Sequence, residues 1–257
     1  MSAPVHVQRD QPPGVPPLAL TGERTLPDVP EENYWFRRHL AVYEWIAERV
    51  GGTRVLDIAC GEGYGSAVLA GTAAAVVGVD ANPEAHEHAA RRYRAPNLRF
   101  ECALLDAFSE PAEAVVFLQT IEHLAEPAAA LAHLRSLVGD RGVVFVSTPN
   151  VLTLAPKGAA RSDNPWHVRE YRAGEFEHLC GSCFASVEMH GLFHARKLRL
   201  HEHALRLGWD ALHPRVGLTK RFYERFTPAI AASDFALRRA GERELDRALD
   251  FVAVCRG

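Results

Sequence analysis

Along most of the chain, short apolar runs alternate with stretches in which apolar residues return every three or four positions. "RVLDIA", "AAVVGVDA" (74–81), "NLRFECA" (97–103), "EAVVFLQT" (113–120) and "GVVFVSTPN" (142–150) are apolar and rich in β-branched residues. Continuous runs of this kind predict strands buried on both faces. Helical spacing marks 31–50, 64–71, "PEAHEHAARRYR" (83–94) and "PAAALAHLRSLVG" (127–139). Gly51-Gly52 and Gly139 act as stops, and Pro83 stands at a favoured first-turn position. A polar loop (151–172), a short helix in "GEFEHLCGSC" and a sixth strand, "ASVEMHGLF", follow. Residues 195–247 read as mostly helical, and "LDFVAVCRG" closes the chain as a strand. Strand–helix alternation predicts a parallel sheet covered on both faces. The expectation is a doubly wound α/β fold with a mostly parallel, seven-stranded sheet and a helical insertion, about 195–247, before the last strand. Residues 1–20 are Pro-rich and read as a disordered leader, with 21–257 forming one domain.

Composition narrows the function. Hydrophobic residues make up 47% of 257, enough for a sizeable core. A net charge of -3 removes the broad basic field of a nucleic-acid binder. No apolar stretch is long and uncharged enough to suggest a membrane span. The N-terminal residues lack a basic head followed by an apolar block, so no signal peptide is read and the cytoplasm is expected. Five irregularly spaced cysteines suit a reducing compartment. The lone CxxC at 180–183 closes a helix without a second ligand pair, which reads as structural.

"VLDIACGEGYGSAVLAG" (55–71) joins a strand to a helix through alternating glycines. Such a turn offers free backbone N–H groups to a ligand, because glycine permits close approach. The next strand ends in Asp80, about 20 residues on, where a carboxylate suits a ribose diol. These features alone fit a nicotinamide cofactor or S-adenosylmethionine. The helix-packing glycine of a dinucleotide fingerprint is missing, which with the acid argues against a reductase; a non-catalytic nucleotide-binding module is the other alternative.

"VLDIACGEGYG" and "VVGVDANP", followed by "QTIEHLAEP" and "LRSLVGDRGVVFVSTPN", resemble the ordered blocks of class I S-adenosylmethionine-dependent methyltransferases. The resemblance implies roles. Ala59, Gly61, Gly63 and Tyr64 would border the methionine part, and Asp57 would order the loop and the ammonium. Asp80 would hold the ribose, with Ala81 and Asn82 beside the adenine. Gln119 would receive the ammonium through its backbone. The acid usual after the third strand is absent, so Ala103 or Leu104 takes the adenine position, with Asp106, displaced by register, as the alternative.

A methyl acceptor must be aligned and deprotonated. "IEHL" puts Glu122 and His123 just past the fourth strand, at the ligand-binding edge of the sheet, where a histidine can take a proton near neutral pH. His167, in "NPWHVREY" (164–171), is the rival base. The flanks "LTGERTLPDVPEENYWFRRH" (20–39), "GLFHARKLR" and "SDFAL…ERELDRALDFVAV" are similar to bacterial methyltransferases of sugars, most narrowly those acting on methylmannose polysaccharides at the 1-hydroxyl. That resemblance implies a mannoside or oligosaccharide acceptor. Tyr34, Trp35, Trp166 and Tyr171 could stack on sugar faces, while Arg37, Arg38, His39, His167, Arg169 and Glu170 could meet hydroxyls. Glu122, His123 and His167 could also gather Mg2+. An antibiotic sugar or a phenol is the alternative acceptor. The insertion is expected to cover the acceptor site or to make a homodimer contact.

Overall fold

The computed structural model describes residues 8, 11–20, 22, 24–156, 158–209, 212 and 219–257. Eight strands form one sheet among them: β1 (Arg54–Ile58), β2 (Ala75–Asp80), β3 (Leu98–Cys102), β4 (Ala114–Leu118), β5 (Val143–Pro149), β6 (Ser186–His194), β7 (Phe235–Arg239) and β8 (Asp250–Arg256). Their spatial order is β3-β2-β1-β4-β5-β8-β6-β7. β1 to β5 pair in parallel, whereas β8 is antiparallel to β5 and β6, and β7 is antiparallel to β6. The helices are α1 (Asn33–Ala47), α2 (Tyr64–Ala70), α3 (Pro83–Arg92), α4 (Pro127–Val138), α5 (Val151–Leu154), α6 (Ala173–Gly181), α7 (Arg196–Arg206) and α8 (Thr219–Phe226).

The sheet has one strand more than the sequence suggested. "FALRR" lies in the segment read as helical, yet it is the edge strand β7, paired with β6 from His190 to His194. Among the described residues the insertion thus holds helices α7 and α8 and, after them, the strand β7.

Alternate residues along each strand serve opposite cores. Leu56, Ile58, Val115 and Phe117 pack with α4 and α6 on one side. Val55, Val76, Val116 and Phe145 pack with α1 and α2 on the other. In α1, Phe36, Leu40, Tyr43 and Ala47 recur at helical spacing and form the buried stripe.

The expected disordered leader is corrected for residues 11–20. Leu18 is buried with Leu26 and Val29, and the Pro16 carbonyl accepts a hydrogen bond from His88 Nδ1 at 2.6 Å. Among the described residues no helix is long and apolar enough to cross a membrane.

The chain runs outward from β1 to β2 and β3, then returns to β4 beside β1. The carboxyl ends of β1 and β4 thus flank the crevice where the strand order reverses, the usual ligand position in such sheets.

Candidate active site

The β1–α2 turn lies at this crevice under local strain. Ala59 has φ +58° and Gly61 φ +57°. A non-glycine residue at positive φ is sterically costly and marks a backbone held for a purpose. Asp80 fixes the turn: its Oδ2 accepts from the Gly61 N–H at 2.8 Å and its Oδ1 from the Asn82 N–H at 2.9 Å.

The three glycines do different jobs. Gly61 faces open space, where a Cβ would meet nothing within 4 Å. At Gly63 a Cβ would lie 2.7 Å from Ala89 and 3.0 Å from Phe100, and at Gly65 it would overlap the Tyr43 ring. Gly63 therefore lets the turn pack closely on Ala89 and Phe100, and it is not among the residues that line the cavity.

Ala59, Gly61, Tyr64, Asp80, Ala81, Asn82 and Gln119 line a cavity of about 300 Å³, as the sequence suggested. Asn82 also caps α3, its Oδ1 accepting from the Glu84 and Ala85 N–H groups. Gln119 has φ +51°, and its N–H donates to the Ser147 carbonyl at 3.1 Å. Besides Gly63, three expected residues do not line the cavity. Asp57 points under α1, where its carboxylate accepts from Tyr43 Oη (3.1 Å) and Ser66 Oγ (2.7 Å). Burial pushes its carboxyl up to about 7 despite those donors. It anchors the turn from beneath. Ala103 is packed against the core, and Leu104 is 63% exposed.

Other lining residues were missed. Arg24 and Thr25 come from the segment before α1, and Thr25 Oγ1 lies 3.1 Å from Tyr64 Oη. Glu62, inside the glycine turn, is buried and accepts from Tyr93 Oη, Gln8 Nε2 and the Tyr64 N–H. An acid within "GEGYG" was the available signal.

A second cavity, about 630 Å³, shares Arg24, Thr25, His39, Gln119 and His123 with the first. The two therefore adjoin. Trp35, Glu32, Glu122, Ser162, Asn164 and His167 add to the second lining. His39 is pushed down to about 4 by burial and stays neutral at pH 7.

His123 sits at the junction. Its Nδ1–H donates to the Trp166 carbonyl at 2.9 Å, so Nε2 carries the imidazole lone pair in the neutral ring. The Glu122 carbonyl accepts from the Val168 and Arg169 N–H groups, tying the 151–172 loop to the β4 end. Asn164 Oδ1 accepts from the Trp166 N–H, which turns its Nδ2 toward His167 Nε2 at 3.0 Å. His167 Nδ1–H donates to Glu170 at 2.7 Å. Burial alone would raise the Glu170 carboxyl, but Ser162 and His167 hold it below its usual range.

Most of the expected sugar contacts are placed elsewhere, and among them Trp35, His39 and His167 line the cavity. Arg38 is buried in a bidentate pair with Asp250, Nε to Oδ2 at 2.6 Å. Tyr34 Oη meets His194 Nε2 at 2.8 Å and packs on Phe235. Tyr171 is fully buried in the core under Arg169, whose guanidinium lies 5.2 Å from its ring. Glu170 orients His167, and Trp166 contributes its carbonyl to His123.

Glu122, His123 and His167 do gather, with one potential ligand atom of each within 4.8 Å of the others. The set does not fit magnesium, which takes oxygens and water rather than imidazoles. Both His167 nitrogens are already engaged, and burial pushes the Glu122 carboxyl up to about 8, favouring its neutral form. No Mg2+ is assigned.

A doubly wound sheet with a strained glycine turn at its switch point, an acid closing β2 and a second cavity against the first defines a class I methyltransferase that uses S-adenosylmethionine. The first cavity suits that cofactor: Gly61 leaves room, and each Asp80 oxygen accepts only one backbone N–H, keeping lone pairs for hydroxyls. The comparisons agree. Residues 30–203 match the methyltransferase domain family, and the chain belongs to it. A probable S-adenosylmethionine-dependent methyltransferase of Mycolicibacterium smegmatis is 38% identical, covering 92% of this chain and 94% of that protein. One from Mycobacterium tuberculosis is 35% identical, covering 98% and 96%. In fold, the chain is similar to a methyltransferase from Thermotoga maritima, a possible histamine N-methyltransferase, with a TM-score of 0.58 at 13% identity over 88% of this chain and 94% of that one.

Proposed function

We propose that this methyltransferase acts on oxygen, at a sugar hydroxyl, and in particular at the 1-hydroxyl of a 3-O-methylated mannoside. The observation that carries the reading is the place of His123, between the cofactor cavity and the second cavity. Bound S-adenosylmethionine supplies an already activated methyl group. The chain has to align the hydroxyl, exclude water and accept one proton. His123 Nε2 accepts that proton, while the Trp166 carbonyl holds the ring through Nδ1. Arg24, Thr25 and the polar groups of 162–164 surround the acceptor, and Trp35 offers it an aromatic face.

That lining favours a polyhydroxyl acceptor over a phenol. Glu32, Ser162, Asp163 and Asn164 make that lining polar, and an apolar ring would desolvate it without adding hydrogen bonds. The mannoside itself rests on the similarity of the flanking segments. A methyl-transfer screen with mannose, 3-O-methylmannose, short oligomannosides and a catechol, read by mass spectrometry, tests both levels. Turnover of 3-O-methylated mannosides at the 1-hydroxyl is expected. Turnover of the catechol alone would overturn the sugar reading.

A further inference from the structure

On the other side of α5 from the acceptor cavity lies a third cavity, of about 430 Å³. Thr153 lines it, while the next residue, Leu154, lines the acceptor cavity. Four guanidinium groups border the third cavity. Arg199 and Arg206 come from one face of α7, and Arg243 and Arg247 from the segment between β7 and β8. Two carboxylates neutralise half of this charge: Glu202 pairs with Arg206, and Glu244 with Arg247 at 3.0 Å. Among the described residues, the side chains of Arg199 and Arg243 have neither a hydrogen bond nor an ion pair. Arg243 lies over the Phe193 ring at 5.3 Å.

Two uncompensated guanidiniums thus reach one concavity from separate segments. The charge bias extends beyond them. Residues 195–247 hold twelve Lys and Arg against seven Asp and Glu, in a chain where acids outnumber bases 32 to 29. Like charges gathered in a concavity raise the local concentration of anions. A guanidinium fork matches phosphate geometry and binds it with charge-assisted hydrogen bonds.

We propose that this cavity is an anion subsite that takes a phosphate group carried by a ligand. The phosphate has two sources that share this chemistry: an ester on the acceptor itself, reaching across α5 from the methylated hydroxyl, or a free phosphate ester. Only the first source rests on the sugar reading.

Calorimetric titration of pyrophosphate into the full chain at low salt, with the cofactor site saturated by S-adenosylhomocysteine, tests the subsite. One pyrophosphate should bind, and the double variant Arg199→Gln, Arg243→Gln should weaken it by about tenfold or more. Glu202→Gln should tighten it, because Arg206 loses its counter-charge. No binding, or equal affinity in the double variant and wild type, overturns the proposal. The source is read from KM for short 3-O-methylated oligomannosides with and without a phosphate ester. A lower KM for the phosphorylated acceptor that disappears in the double variant supports the acceptor-borne phosphate. Equal KM values with pyrophosphate still held by the arginines support a free ligand. If neither acceptor is methylated, the sugar reading fails while the pyrophosphate result stands.

Discussion

His123 Nδ1 donates to the carbonyl of Trp166 at 2.9 Å, joining the turn after β4 to a loop 43 residues further on. The bond comes from the backbone of Trp166, so the ring of Trp166 is not needed for it. His123→Ala should lower kcat by about 100-fold or more, the usual range for a lost general base. Cofactor affinity should stay within a few-fold, and Trp166→Ala should keep most of the activity. Steady-state kinetics with titration calorimetry checks this, with His39→Ala and His167→Ala beside it. Near wild-type turnover in His123→Ala with a dead His39→Ala would move the base to His39.

Asp80 binds the glycine turn and is expected to bind the ribose. Asp80→Ala should weaken S-adenosylmethionine by at least about tenfold, since it removes charge-assisted hydrogen bonds worth roughly 1.5–3 kcal/mol each. Circular dichroism should show the fold retained. Unchanged affinity would remove the ribose role.

The glycines separate packing from ligand contact. Gly65→Ala drives a Cβ into the Tyr43 ring and should lower the melting temperature clearly. Gly61→Ala meets open space but stays at φ +57°, so it should cost less stability and more cofactor affinity. Equal losses of both kinds in the two variants would refute the division of roles.

Arg38 and Asp250 are a buried pair rather than a sugar contact. Arg38→Ala leaves a buried carboxylate unpaired and should cost about 3–5 kcal/mol in denaturant unfolding. Arg38→Met with Asp250→Leu should recover much of that loss. A stable Arg38→Ala protein with a raised acceptor KM would restore the substrate role.

Burial sets the pH dependence of stability. Glu122 is pushed up to about 8 and Asp57 to about 7, so the folded chain keeps protons that the unfolded chain releases. Stability therefore falls as pH rises from about 4.5 to 8 through these groups. His39, pushed down to about 4, works in the opposite direction, as do His190 and His194, but only up to their ordinary value of 6.5. Above pH 6.5 the fall belongs to the carboxyls. Urea unfolding between pH 6.5 and 8.5 should show it, and Glu122→Gln should flatten it. An unflattened fall would assign the slope to another group.

The sequence by itself determined the sheet from β1 to β5, the covering helices, the glycine turn and Asp80. These depend on periodicity and on backbone conformation, both of which are written locally along the chain. It also placed Glu122, His123 and His167 together, because the end of β4 and the loop after β5 must meet at one sheet edge. Only the tertiary structure decided what the polar and aromatic residues face. Arg38, Tyr34 and Tyr171 have the composition of a sugar site, yet they are packed inside. The partner that claims Arg38 lies 212 residues away, and no local pattern announces such a pair. "FALRR" shows the same limit. Its residues tolerate a helix, and they form a strand because the open edge of β6 offers backbone hydrogen bonds that the isolated segment cannot supply. The uncompensated arginines beyond α5 follow likewise from which carboxylates folding brings within reach.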